Sequence, residues 1–187
     1  MVRVFAAIEI PPEICARMWL IRAAIPTARW IGAEDMHLTL RFAGDVEHQA
    51  ADDFAEAMAE IVADPFPLTI AGVGSFGGRD PHALWAGIKP SEPLAALQRA
   101  TERAARTAGL PPEPRKFAPH ITLARLKRAR PHDVAMFLAE NGGLSLEPFM
   151  VERFVMLSSR PGVGGGPYAI EAEFPLGATH FKHDVED

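Results

Sequence analysis

Hydrophobic positions recur along this chain with two different spacings, and the changes of spacing mark out its elements. Val2 to Ile10, VRVFAAIEI, reads as a strand. Pro11 and Pro12 suit the entry of a helix running to about Ala24, because proline lacks the amide hydrogen that a first turn leaves unpaired anyway. Met36 to Ala43 alternates as a half-buried strand that Gly44 ends, and Asp45 is placed to cap a helix carrying Phe54, Met58, Ile61 and Val62 at helical spacing. Pro67 to Val73 and Ala83 to Ile88 follow as strands joined through SFGGRDP. Ser91 caps a helix with Leu94, Leu97, Ala104 and Ala105 on one side and Gly109 as its stop. HITLARL is strand again, and Pro131 to Glu140 is a short helix closed by Asn141 and Gly142. Glu152 to Ser158 and Tyr168 to Leu176 are strands around the glycine-rich PGVGGGP. Strands and helices intermix with short connections, which favours an α+β fold over a doubly wound parallel sheet.

Within this pattern two segments repeat a tetrapeptide. His37-Leu38-Thr39-Leu40 and His120-Ile121-Thr122-Leu123 are both His-x-Thr-Leu, and seven histidines in 187 residues would supply only about 0.02 such copies by chance. Along a strand, His and Thr two residues apart share a face while the leucines and isoleucine pack beneath. Each motif therefore offers one acid/base group and one hydroxyl. If the two strands come together, two imidazoles and two hydroxyls converge, a set suited to phosphodiester cleavage. A neutral histidine deprotonates water, its protonated partner donates to the departing oxygen, and the hydroxyls hold phosphate oxygens. An imidazole titrating near 6.5 lets both protonation states coexist at neutrality. A lone strand histidine is more often a structural residue; a matched pair is not so easily explained that way.

Composition narrows the partners. The chain has the size of one domain or of two lobes folding together, and 48% hydrophobic with 23% charged residues describes a globular protein. No apolar run approaches a membrane span and no secretory signal is visible, so a cytoplasmic location and no membrane partner are expected. A single cysteine, Cys15, excludes an internal disulfide and reads as a small buried residue. Two histidines without carboxylates at ligand spacing make half of a usual metal site, so no metal and no cofactor are expected. A net charge of −5 argues against coating nucleic acid nonspecifically. Yet RKFAPHITLARLKRAR holds six basic residues (Arg115, Lys116, Arg125, Lys127, Arg128, Arg130) and no acid, either a solvated surface or a guide for an RNA backbone beside His120. Gly162 to Gly166 reads as a flexible loop, His180 and His183 as part of a flexible tail over 178–187, and His48, His82 and His132 as surface residues.

The paired motifs, with RVFAAIEIP, Trp30, HALWAGI, FAPHITLAR, LSSR and YAIEAEFPL around them, resemble the two-histidine phosphoesterase superfamily, in particular the bacterial and archaeal RNA 2′,3′-cyclic phosphodiesterases historically called 2′-5′ RNA ligases. The resemblance spans almost the whole chain. It implies a single bilobal α+β domain over 1–187, two antiparallel-sheet lobes with outer helices flanking a central cleft to which each contributes one motif. It also implies metal-independent hydrolysis of RNA ends or nucleosides carrying a 2′,3′-cyclic phosphate; separately, a monomer is expected, although the sequence leaves the oligomeric state open. In that scheme His120 activates water, His37 protonates the leaving O3′, and Thr39 and Thr122 bind phosphate; the residues alone do not assign these roles, because the motifs are nearly symmetric. The resemblance further implies that Phe42 stacks near the terminal base and Arg125 contacts phosphate. Strict alternation disagrees, keeping Arg41 on the catalytic face and turning Phe42 and Arg125 away, unless a bulge or strand end follows each motif. Arg125 is preferred and Arg41 is the alternative. Competing readings are a 2′-5′ ligase using the same site and an RNA-end binding protein without turnover.

Overall fold

The computed structural model describes residues 1–160, 162 and 165–177. The elements in chain order are β1 (Val2–Glu9), α1 (Pro12–Leu20), β2 (Arg29–Trp30), a 3-10 turn at Ala33–Asp35, β3 (His37–Val46), α2 (His48–Ala59), β4 (Phe66–Leu68), β5 (Ile70–Phe76) and β6 (Ala83–Ile88). There follow α3 (Glu92–Thr107), β7 (His120–Arg125), α4 (Pro131–Asn141), β8 (Phe149–Val151), β9 (Arg153–Ser159) and β10 (Ala169–Pro175). The large sheet runs β10-β9-β1-β3-β7-β6-β5 with β2 added beside β7, and its registered pairs are antiparallel; β4 and β8 form a separate ribbon. This is the expected α+β class. Among the described residues no helix is long and apolar enough to cross a membrane.

The two motif strands are neighbours side by side in this sheet. β3 and β7 meet at one registered pair, Leu38 opposite Ile121, both fully buried. Leu38, Leu40, Ile121 and Leu123 all enter one core cluster with Phe54, Met58, Leu94, Leu97 and Ala105 from the helices, α2 packing on α3 and α3 on β3. Ser91 caps α3 by accepting a hydrogen bond from the Leu94 amide at 3.2 Å, and Gly109, at φ +80°, turns the chain away, both as the sequence pattern predicts. The helices thus seal the leucine face, leaving the His/Thr face to other contacts.

Several expectations are corrected. The first helix stops at Leu20, short of Ala24, and β3 runs through Gly44 to Val46. Gly44 adopts φ +84° within the strand, so its left-handed turn marks an irregularity rather than an end. Asp45 does not cap α2: it is a strand residue ion-paired to Arg3 at 2.7 Å, and Glu47 occupies the cap position without a side-chain bond. The segment 67–73 is divided between β4 and β5, which belong to different sheets. Val62 is exposed beyond the end of α2.

The most consequential correction concerns alternation itself. Against β1, Ala7 pairs Thr39 and Ala6 pairs Arg41, so Leu40 and Arg41 together oppose Ala6. Against β6, Trp85 pairs Thr122 and Leu84 pairs Ala124, so Leu123 and Ala124 together oppose Leu84. Each motif strand therefore carries a β-bulge at the same place, and both show the same burial sequence: two adjacent buried residues, then an exposed one. The bulge adds one residue to the alternation. Phe42 and Arg125 return to the His/Thr face, and Arg41 turns into the interior, where it is 6% exposed. There its guanidinium ion-pairs with Glu102 and donates to the carbonyls of Phe42 and Pro111. Arg41 is thus a structural tie and not the alternative to Arg125.

Removing that guanidinium strands a carboxylate and two carbonyls together. Because Glu102 keeps some solvent contact, Arg41→Ala should cost about 2–3 kcal/mol, below the full cost of breaking a buried pair. Urea unfolding measures it; a loss under about 0.5 kcal/mol would contradict the structural assignment.

Candidate active site

The Leu38–Ile121 register, extended one step each way, sets His37 opposite Thr122 and Thr39 opposite His120. The two histidines occupy diagonal corners of this quartet, a spacing of about 7 Å between Cβ atoms in a regular sheet. That separation leaves room for a single tetrahedral group such as phosphate between two imidazoles. The orientation of the rings is repeated as well. His37 Nδ1 is 2.9 Å from the carbonyl of Asp35, and His120 Nδ1 is 2.7 Å from the carbonyl of Ala118, each two residues upstream. A carbonyl only accepts, so Nδ1 carries the proton in both rings and Nε2 is the nitrogen left to exchange one.

Aromatic walls hold each ring. His37 lies 4.9 Å from Phe5 and 5.1 Å, edge-on, from Tyr168, the one tyrosine of the chain. Phe5, Ala7, Val155 and Leu157 form a small apolar cluster under this half of the site, with Tyr168 packed on it. His120 lies 4.8 Å, edge-on, from Phe76 and 6.4 Å from Trp85, which is registered opposite Thr122 on β7. Four of these aromatics, Phe5, Phe76, Trp85 and Tyr168, were not singled out by sequence reading. Their signal there was weak, because each sits in an ordinary strand or loop context and only the sheet order brings them beside a histidine.

A cavity of about 530 Å³ opens over the quartet, within the size range of small-molecule sites. Five of the seven candidate residues line it: His37, Thr39, Thr122, Phe42 and Arg125. His120 stands just outside it, at the next corner of the quartet, and Arg41 is in the core. Phe42 is 42% exposed and stacks toward Phe5 at 6.2 Å, leaving much of its ring open. Of the basic segment only Arg125 reaches the cavity; Arg115 is ion-paired to Glu113 at 2.8 Å. Arg3 and Arg29, from outside that segment, also line it, against Asp35 as the acid. Among its described residues the glycine-rich loop contributes Gly165 and Gly166, while Gly162 donates its amide to Asp45 at 3.3 Å. A Cβ on Gly166 would fall 2.2 Å from the Asp35 carboxylate, so a side chain there would require the Asp35 side chain to move. His180 and His183 fall outside the described residues.

The electrostatics favour an anion. Burial lowers the His37 pKa below the ordinary 6.5, the Asp35 carbonyl opposes that, and Arg125 and His120 lower it further by charge. Burial also raises Tyr168, keeping its phenol protonated, and pushes the Cys15 thiol up to about 11, as suits an inert core residue. A second hollow, of about 1080 Å³ beside His37 and Tyr168, is lined by Glu9, Glu34, Asp35, Glu152 and Glu173 against Arg153, a charge balance unsuited to phosphate. Among the described residues no three His, Cys, Asp or Glu side chains group as metal ligands.

With this geometry in hand, similarities to known proteins become informative. Residues 10–162 match the family described as the 2′-5′ RNA ligase superfamily. A Geobacillus stearothermophilus protein named RNA 2′,3′-cyclic phosphodiesterase is 41% identical over 106 residues, covering 55% of this chain and 34% of that protein. A protein of the same name from Aeropyrum pernix is 36% identical over 99 residues, covering 52% of this chain and 56% of its own length. The matched stretch thus spans from about a third to about half of these relatives. A crystal structure of E. coli LigT complexed with 3′-AMP shares the fold, with a TM-score of 0.75 at 24% identity over 95% of this chain and 99% of that one.

The His37 environment makes a measurable statement about pH. In the free protein its ring should titrate below 6.5 by NMR, and occupation of the cavity by inorganic phosphate should move the midpoint up, because an anion favours the imidazolium. Arg125→Gln should also raise it. A free-protein midpoint at or above 6.5 would contradict the enclosed, cation-flanked site.

Proposed function

The chain belongs to the 2′-5′ RNA ligase superfamily, and on that premise we propose that it is an RNA 2′,3′-cyclic phosphodiesterase, opening a terminal 2′,3′-cyclic phosphate to a 2′-phosphate and a 3′-hydroxyl. The observation that carries the proposal is the quartet: two histidines at diagonal corners with Nδ1 tied to a carbonyl and Nε2 without a hydrogen-bond partner among the described residues, and a threonine beside each. The β10-β9-β1-β3 and β7-β6-β5 groups, joined at Leu38–Ile121, serve as the two lobes of a single domain.

The cyclic phosphate sits across the quartet, its free oxygens taking hydrogen bonds from the hydroxyls of Thr39 and Thr122 and charge from Arg125. His120 Nε2 takes a proton from water as the water oxygen bonds to phosphorus. The P–O3′ bond breaks on the opposite side, and His37 Nε2–H gives its proton to O3′. The 2′-phosphate remains, and exchange with solvent returns both histidines to their starting states. His37, neutral by burial in the empty cleft, gains its proton because the entering phosphate brings a negative charge beside it. Phe42 offers the exposed part of its ring, beside Phe5 and the Arg3 guanidinium, to the terminal base.

The activity assay uses a nucleoside 2′,3′-cyclic phosphate. His37→Ala and His120→Ala should each lower turnover by roughly 100- to 10,000-fold, and a chelator should leave the wild-type rate unchanged. Full activity in either variant would overturn the mechanism. Tight binding with no conversion would support an RNA-end binding protein instead, and a 2′-5′ linked product formed with 5′-hydroxyl RNA would support ligation.

A further inference from the structure

Of the three arginines lining the cavity, Arg3 is already neutralised by two hydrogen bonds to Asp45, at 3.0 and 2.7 Å. The other two oppose each other. Arg29 on β2 is registered directly across from Arg125 on β7, so both side chains leave the same face of an antiparallel pair. Like charges in that position destabilise a sheet. Neither makes an ion pair among the described residues, and Asp35, the acid in the same cavity, stays outside ion-pair distance of both. The opposing pair is nevertheless supported: β2 is held by the Ile31 amide donating to the Leu123 carbonyl at 2.8 Å, and by Trp30 packed 5.6 Å from Phe137. On the other flank of β7, Ala83 stands opposite Arg125 and leaves space beside it. Above Arg29 the loop presents Gly165, whose missing Cβ would lie 3.5 Å from the guanidinium, so this residue adds no side chain over it.

Two guanidiniums side by side, neither in an ion pair among the described residues, suit an anion more extended than one phosphate. Arg125 follows Thr122 on the same strand and falls to the reacting phosphate; Arg29, on β2 along the same edge of β7 as β3, lies beyond the quartet and has no role in that reaction. We propose that Arg29 forms a second phosphate subsite, which takes the 5′-phosphate of the terminal nucleotide and so selects an RNA chain end over a free nucleoside cyclic phosphate. The identity of that second phosphate rests on the phosphodiesterase reading; the binding chemistry does not.

Calorimetry of adenosine 2′-monophosphate against adenosine 2′,5′-bisphosphate tests the subsite without turnover. Wild-type protein should bind the bisphosphate roughly tenfold more tightly, the value of one charge-assisted phosphate contact. Arg29→Gln should bring the two affinities within about twofold of each other, with monophosphate binding reporting that the cavity is intact. In parallel, the ratio of kcat/KM for a dinucleotide ending in a 2′,3′-cyclic phosphate to that for the nucleoside cyclic phosphate should fall about tenfold in the variant. An unchanged ratio with an unchanged bisphosphate preference overturns the subsite, and so does an equal loss on both ligands, which would assign Arg29 to the reacting phosphate. Wild-type bisphosphate preference without hydrolysis of either cyclic substrate would overturn the phosphodiesterase reading and leave the subsite standing.

Discussion

Leu38 and Ile121 face one another across β3 and β7 with no exposed surface, at the one registered pair between the two strands. A shift by a single residue there would turn His37, Thr39, His120 or Thr122 into the core and a leucine or isoleucine out of it, at the cost of both burial and polar satisfaction. The helices α2 and α3 enforce the register from beneath by packing on the leucine face. The position of the His/Thr quartet is therefore a by-product of core packing. No contact between the histidines themselves is required.

From that register the other features follow in order. The bulges at Leu40–Arg41 and Leu123–Ala124 let one strand do two jobs: alternate through the motif, then shift phase to bring Phe42 and Arg125 into the cavity. The same phase shift sends Arg41 inward to Glu102, so the residue displaced from the site becomes a tie between β3 and α3. Each histidine hangs from the carbonyl two residues before it, which sets the tautomer by geometry that both halves share. The near-identity of the halves thus extends beyond the tetrapeptide to hydrogen bonding, burial and an aromatic pair around each ring.

Charge distinguishes the halves where backbone geometry does not. His37 is lowered by burial and by Arg125, and the cavity gathers three arginines against one carboxylate on a chain whose net charge is −5. Such a site is unfavourable empty and favourable when an anion enters, which ties binding of an anion to protonation of His37. The acidic lining of the neighbouring hollow, on the same face of the sheet, keeps that attraction local to the cavity over the quartet.

Much of this was legible in the sequence. The paired His-x-Thr-Leu motifs identified the four corners, periodicity placed most elements, and Ser91 and Gly109 bounded α3 because caps and stops depend on local backbone chemistry. Alternation misassigned Arg41, Phe42 and Arg125, since a bulge depends on the partner strand and leaves no mark in the strand's own pattern. Asp45 read as a cap for a similar reason: Arg3, its actual partner, is forty-two residues away in sequence. The sequence by itself determined which groups could do the chemistry, because residue type and strand period are local properties. Only the tertiary structure decided which of them meet, because sheet order, register and the walls supplied by Phe5, Tyr168, Phe76 and Trp85 arise from contacts between segments distant along the chain.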